Sequence, residues 1–174
     1  SLDFNLSNKI LIITSIIFFQ LTPFLVSKDF VGKLYLHAKK NIIFIILFFL
    51  LNLYFFDYVT NFTGGGFFFQ ISQISLKNNL LFYFFCIISL IFLSFLIKKN
   101  LNNFLIIFLL IISNIQNTIY HKYYDPLIMI LFFTIIQSSV QKDFLKNKIN
   151  LIYVYIFYLI FITMRIVKNI FFLV

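Results

Sequence analysis

Six long apolar runs, separated by short polar segments, set the pattern of this chain. None of the runs alternates apolar and polar residues at a period of two, so the pattern predicts helices rather than the strands of a membrane barrel. A helix that spans a membrane needs roughly 17–25 apolar residues. The pattern therefore predicts an all-α fold, a polytopic transmembrane helix bundle of about six membrane helices, at residues 10–26, 42–58, 80–97, 104–120, 127–140 and 151–174.

The composition agrees with a membrane location. Hydrophobic residues make up 62% of the 174 residues and charged residues only 11%, whereas a soluble domain carries roughly 25% charged residues to hydrate its surface. We therefore assign residues 1–174 to a single transmembrane domain in contact with membrane lipids. Because the chain starts at Ser1 without Met, a few residues before an apolar run, we expect it to be a C-terminal fragment of a longer membrane protein.

The basic residues predict which side of the membrane each loop faces. The chain has 14 basic and 5 acidic residues, and the basic ones lie between apolar runs rather than on one amphipathic face. This placement favours contact with lipid headgroups over binding to nucleic acid. The loops after the first, third and fifth runs carry nine Lys, and the alternate loops carry two. The former are therefore predicted to be cytoplasmic and the N-terminus external, although Lys9, Arg165 and Lys168 raise the external count to five.

A glycine triplet, Gly64–Gly66, stands in the longest predicted external connection and is followed by Phe67-Phe68-Phe69-Gln70. Glycine permits positive φ and close backbone approach. Two interpretations stay open: a flexible turn with interfacial aromatic residues, or a re-entrant or amphipathic segment.

No sequence motif of known chemistry is present. Walker, GxGxxG, HExxH and GxSxG patterns and paired carboxylates are absent. Glu does not occur, and the two His and one Cys are far apart in sequence, so we predict neither a metal site nor a cofactor.

The segment from Tyr120 to Leu127 has the densest local chemistry. Pro126 suits the first turn of a helix, and Asp125 is placed to cap its free amides. These structural roles leave His121 and Lys122 unexplained. Upstream, Asn114, Asn117 and His121 recur at i, i+3 and i+7, which predicts one interior helical stripe, either for interhelical hydrogen bonds or as a polar wall.

Arg165 is the single Arg and lies about fourteen residues into the last run. A charge at mid-depth costs roughly 2.5–3.5 kcal/mol on insertion scales, so such residues usually face the protein interior and have a function; snorkelling to the headgroups is the alternative. Under the predicted topology the outer side gathers one candidate binding site for an anionic headgroup, made of Lys122, Arg165, His121, Asp57 and Asp125.

The run Lys122-Tyr123-Tyr124-Asp125-Pro126-Leu127 resembles a motif of the polytopic GT-C glycosyltransferases: a basic residue, Tyr, two variable residues and Pro, followed by a leucine-rich helix. The resemblance covers about eight residues, and Lys replaces the commoner Arg. It implies the C-terminal membrane half of an enzyme that uses a polyprenyl-phosphate-linked sugar at the outer membrane face, with Lys122 near the lipid phosphate. It also implies an acidic catalytic residue in an early external loop that a fragment would lack.

A second class of function stays open: a non-enzymatic transporter half, or a small hydrophobic subunit of a membrane complex. The expected location is a bacterial inner membrane, with an organellar membrane as the alternative because the frequent residues Phe, Ile, Lys, Asn and Tyr have AT-rich codons.

Overall fold

The computed structural model describes residues 5–25, 28–59, 64–98, 100–116, 118–145 and 149–172. Within these ranges the chain is all-helical and contains no strand, which confirms the predicted fold class. The helices are α1 (Leu6–Leu21), α2 (Lys28–Tyr54), α3 (Gly66–Leu76), α4 (Leu80–Ile97), α5 (Leu101–Ile112), α6 (Asp125–Thr134), α7 (Ser139–Leu145) and α8 (Ile149–Phe172), with single 3-10 turns at Thr22–Phe24 and His121–Tyr123.

Three helical segments of the described chain are long and apolar enough to cross a membrane: Leu6–Phe24, Phe30–Tyr54 and Leu80–Ile97. A fourth crossing results if α6, with its preceding turn, and α7 form one broken span, bent by 88°. Leu101–Ile112 and Ile149–Met164 are shorter apolar helices. The coarse prediction of a membrane protein with several apolar helices is thus supported, and six complete spans are not established.

Helix α1 is the centre of the bundle. Its span, Leu6–Phe24, is 72% buried, whereas that of α2 is 17% buried. Apolar residues occur on every face of α1, as in an interior helix, although Lys9 and Gln20 are buried with them, while α2 turns most of its surface outward, as a helix facing lipid does. Many Phe rings pack inside the bundle, among them Phe30, Phe82 and Phe92, whereas Phe44 and Phe48 of α2 are exposed.

Contacts at the ends of α1 define how its neighbours run. Asn5, which caps α1, donates through Nδ2 to the carbonyl of Phe55 just after α2 (2.8 Å), so α1 and α2 are antiparallel. On α4, Cys86 Sγ lies 3.6 Å from the Leu11 carbonyl, and the Phe92 ring lies 5.7 Å from that of Phe18. Helices α1 and α4 therefore advance in the same direction.

The glycine triplet opens a helix that lies inside the bundle. Gly64, Gly65 and Gly66 all have positive φ, and a Cβ on Gly66 would lie 2.7 Å from the side chain of Ile16. Ile16 is ten residues after Leu6, about 15 Å along α1. Phe68 then stacks on Phe85 at 4.0 Å, and the chain turns at Lys77 (φ 51°) into α4. This geometry supports the re-entrant interpretation over a flexible interfacial turn.

Helix α5 is shorter than the fourth predicted span. It ends at Ile112, where Ser113 caps it, and the Asn114 side chain accepts a hydrogen bond from the Gln116 amide (3.0 Å). Such side-chain bonds to the local backbone compete with the helix. The predicted helical stripe through Asn114 and His121 is therefore wrong, since the described residues between them are not helical; Asn117 lies outside the described residues.

Candidate functional site

The start of α6 forms a polar site, although not by the capping that the sequence predicts. Pro126 stands in the first turn of α6, as expected, but the residue preceding the helix is Tyr124, which makes no side-chain cap. Asp125 is the first helical residue, and its carboxylate accepts a hydrogen bond from the Gln20 side chain of α1. Asp125 thus joins two helices.

Four side chains, which we call the inner polar cluster, meet at this point: Gln20, His121, Asp125 and Tyr158. His121 Nε2 lies 2.9 Å from Gln20 Nε2 and 3.2 Å from Asp125 Oδ1. The Tyr158 hydroxyl, from α8, donates to Gln20 Oε1 (3.0 Å). The cluster therefore links α1, α6, α8 and the turn His121–Tyr123.

Aromatic rings border the inner polar cluster, in which Gln20 is buried and His121, Asp125 and Tyr158 are half-buried. Gln20 is only 2% exposed. The Phe19 and Phe161 rings lie 5.2 Å and 5.8 Å from the His121 ring, and the Phe157 ring packs on Phe19 at 5.1 Å. Polar groups in such apolar surroundings interact more strongly than in water. Removing them from water even in part costs free energy, so they mark this position as a functional candidate.

His121 Nε2 has two hydrogen-bond partners, and the tautomer of the ring decides which one it uses. When this nitrogen carries hydrogen it can donate to the Asp125 carboxylate, and when it does not it can accept from the Gln20 amide. Both partners are already within hydrogen-bond distance. The four side chains together present hydrogen-bond donors and acceptors, which in this structure pair with one another. Among the described residues no three His, Cys, Asp or Glu side chains gather as a metal site requires.

A second group of polar residues lies at the start of α1. Asp57 Oδ1 accepts from the side-chain amides of Asn5 and Asn8, both at 2.7 Å. Lys9 is only 2% exposed and donates to the Asn114 carbonyl. A cavity of about 240 Å³ lies among these side chains and extends to Ile119. We call it the outer cavity.

Tyr58 closes one wall of the outer cavity. Its hydroxyl accepts a hydrogen bond from the Ile119 amide (3.1 Å), and the Gly65 amide in turn donates to the Ile119 carbonyl (2.9 Å). Burial raises the pKa of the Tyr58 phenol above its ordinary value, an effect that the backbone bonds oppose. The phenol therefore stays a neutral bridge between two irregular segments.

The five predicted site residues divide among different places. His121 and Asp125 lie together in the inner polar cluster. Asp57 meets Asn8, whereas Asp125 meets Gln20 twelve residues further along α1, which corresponds to about 18 Å. The structure therefore places Asp57 near the start of α1 and the His121–Asp125 pair near its end, so Asp57 does not join the other predicted site residues.

Of the two predicted cations, Lys122 has a described side chain and Arg165 has a described backbone alone. Lys122 is exposed, with Nζ 5.4 Å from the ring centroids of both Tyr120 and Tyr123. Such cation–π contacts orient the lysine without neutralising its charge. The backbone of Arg165 belongs to α8, and its side chain lies outside the described residues.

Sequence reasoning missed Gln20, Tyr158 and Lys9. Gln20 is a polar residue in an otherwise apolar stretch. Because a polar residue inside a membrane helix costs free energy, such a residue often has a role, and this signal could have identified Gln20. Tyr158 sits among other aromatic residues of α8, and nothing in its neighbourhood distinguishes it. Lys9 was interpreted only as a charge beside the membrane.

No protein-family model, curated protein or solved structure matches this chain. The GT-C resemblance therefore stays a prediction that depends on the residues around Lys122 and Pro126.

Proposed function

We propose that this chain is the C-terminal membrane half of a glycosyltransferase that uses a polyprenyl-phosphate-linked sugar, and that its helices make six membrane passages. The observation that carries the proposal is the arrangement around the start of α6. One short segment supplies an exposed cation, Lys122, and the adjacent residue His121, whose Nε2 lies 3.2 Å from Asp125 Oδ1.

The arrangement suits the two parts of the donor headgroup. A sugar ring carries hydroxyls on its edge and apolar C–H groups on its faces. The inner polar cluster offers carboxylate, amide, imidazole and phenol groups, and Phe rings surround it. A lysine ammonium binds phosphate oxygens through charge-assisted hydrogen bonds. Lys122 is therefore assigned to the phosphate and the cluster to the sugar.

The outer cavity is a separate place in this proposal. Ile119, two residues before His121, borders it, but none of the four side chains of the inner polar cluster lines it. Asp57, at the cavity wall, therefore has no assigned role in binding the donor.

In the proposed reaction an acceptor hydroxyl oxygen forms a bond to the anomeric carbon of the donor sugar. The bond from that carbon to the phosphate oxygen breaks, and its electron pair stays on the lipid phosphate. The acceptor proton passes to a carboxylate, the type of residue that the GT-C resemblance implies. Lys122 would stabilise the charge left on the departing phosphate.

Sugar transfer in membranes containing the protein tests the proposal. Lys122→Gln should raise the KM for a labelled polyprenyl-phosphate sugar about tenfold or more, since a hydrogen bond to a charged group contributes roughly 1.5–3 kcal/mol. Lys122→Ala combined with Arg165→Ala should weaken donor use further. Lys77→Gln, at an exposed lysine of the α3–α4 turn, is the matched control. Unchanged transfer by the double variant at equal expression would refute the proposal.

A transporter is the second candidate, and one observation favours it. Two non-helical segments meet inside the bundle. There the Gly65 amide donates a hydrogen bond to the Ile119 carbonyl, and the Ile119 amide donates one to the Tyr58 hydroxyl. Irregular backbone at membrane depth occurs where it is buried in protein or lines a cavity, and interrupted helices form the substrate sites of many transporters. Solute uptake by proteoliposomes, without any sugar transfer, would favour this function.

A further inference from the structure

A long groove runs between α2 and the helices α1, α4 and α5, away from the inner polar cluster. Its volume is about 770 Å³. The α2 wall is formed by His37, Asn41, Phe44, Ile45 and Phe48, the positions i, i+4, i+7, i+8 and i+11 that share one face of a helix. From His37 to Phe48 the groove extends about 17 Å along α2.

The groove is polar at one end only. There His37 Nε2 lies 3.0 Å from Ser94 Oγ, and Asn41 Nδ2 lies 3.2 Å from His37 Nδ1. Lys98, exposed at the end of α4, lines the same end. Because the His37, Asn41 and Ser94 side chains bond to one another, Lys98 is the group that offers a charge to a ligand.

The rest of the groove is open to the surroundings of the bundle and apolar except for Thr14, whose hydroxyl is bonded to the Leu11 carbonyl within α1. Phe48 and Phe108 line it and are 47% and 43% exposed. No Asp or Glu is among the described residues that line it. The positive-inside pattern assigns the polar end to the cytoplasmic side, where membranes carry anionic lipids. The groove thus complements an amphiphile with a hydrocarbon chain and a negative head.

We propose that this groove binds an anionic phospholipid, with its phosphate at Lys98 and one hydrocarbon chain along the apolar wall toward Phe48. The polarity of the two ends sets the orientation of the lipid in the groove. A hydrocarbon chain placed beside His37 and Asn41 would meet polar groups, and a phosphate placed beside Phe48 would lose its hydration. This inference does not depend on the proposed function, since the two sites share no residue.

Tryptophan fluorescence gives a direct test because the chain contains no Trp. Phe48→Trp places a single fluorophore in the groove wall. Leu50→Trp places one at nearly the same depth on another face of α2, where Leu50 is 51% exposed and does not line the groove. Both variants are reconstituted in phosphatidylcholine vesicles containing a small fraction of either brominated phosphatidylglycerol or brominated phosphatidylcholine, whose chains quench nearby Trp.

We expect brominated phosphatidylglycerol to quench Phe48→Trp more strongly than brominated phosphatidylcholine, and the two lipids to quench Leu50→Trp equally. Adding Lys98→Gln should lower the phosphatidylglycerol preference roughly fivefold, while Lys98→Arg should preserve it and Lys77→Gln should leave it unchanged. Equal quenching by both lipids at Phe48→Trp, or a preference insensitive to Lys98→Gln, would overturn the proposal. Weaker quenching by both lipids at Phe48→Trp than at Leu50→Trp would also overturn it, because a protein segment would then fill the groove.

Discussion

The packing of Gly66 against α1 leads to a quantitative prediction. Gly66 has φ of +78°, and an added Cβ would lie 2.7 Å from Ile16 Cγ1, while Ile16 itself is fully buried. A non-glycine residue in the left-handed region costs roughly 1–2 kcal/mol, and overpacking a filled core costs roughly 1–3 kcal/mol. Gly66→Ala should therefore reduce the free energy of unfolding by about 2–5 kcal/mol.

Gly32→Ala is the matched control for this substitution. Gly32 lies in α2, and nothing lies within 4 Å of a Cβ added there. Alanine in a helix interior is more favourable than glycine by roughly 0.5–1 kcal/mol. The same chemical change should thus stabilise α2 and destabilise the start of α3.

The single cysteine provides the assay. Cys86 is buried, so a thiol-reactive dye labels it only when the bundle opens on heating in detergent. At roughly 2–4 °C per kcal/mol, Gly66→Ala should lower the labelling midpoint by about 4–20 °C, and Gly32→Ala should not lower it. Ile16→Ala in the Gly66→Ala background should cost less than the sum of the single changes, because it removes the clash. Equal midpoints for the two glycine variants would refute the close approach of α3 to α1.

Three further predictions concern other parts of the bundle. Asn103 is fully buried and its side chain joins Leu96 and Gln137 through three hydrogen bonds, so Asn103→Ala should cost about 2–4 kcal/mol in the same melting assay, and Asn102→Ala, at an exposed site, should cost little. Tyr58→Phe removes the bond from Ile119 and should cost about 1 kcal/mol at pH 7. Burial raises the pKa of this phenol above that of the unfolded chain, so the native protein loses stability as pH rises through about 10. The difference in free energy of unfolding between the native protein and Tyr58→Phe should therefore shrink in that range. A difference that grows would contradict the burial of Tyr58. Finally, in a Cys86→Ser background, Lys98→Cys should resist an impermeant thiol reagent applied outside intact cells, and labelling from outside would refute the predicted orientation.

Parts of the candidate site could be found from sequence, and parts could not. The density of polar residues around His121 and Asp125 in an apolar chain drew attention to the start of α6, and the structure brings those two side chains together. Gln20 and Tyr158, which complete the cluster, are 101 and 138 residues away from their closest partners in it. One sequence carries no record of such long-range pairs.

The sequence by itself determined the helices whose apolar runs meet no polar interruption, because in a membrane an apolar run can satisfy its backbone only as a helix. Helix α4, at Leu80–Ile97, coincides with its predicted span for this reason. The tertiary structure decided where helices end and what irregular segments do. Helix α5 stops at Ile112 because Asn114 and its neighbours find side-chain partners elsewhere, such as the hydroxyl of Tyr124. The glycine triplet becomes the start of an interior helix because Ile16 of α1 leaves room there for backbone alone. Local pattern fixes a helix when its own backbone bonds suffice, and tertiary contacts decide the structure wherever side chains or backbone need a partner from another part of the chain.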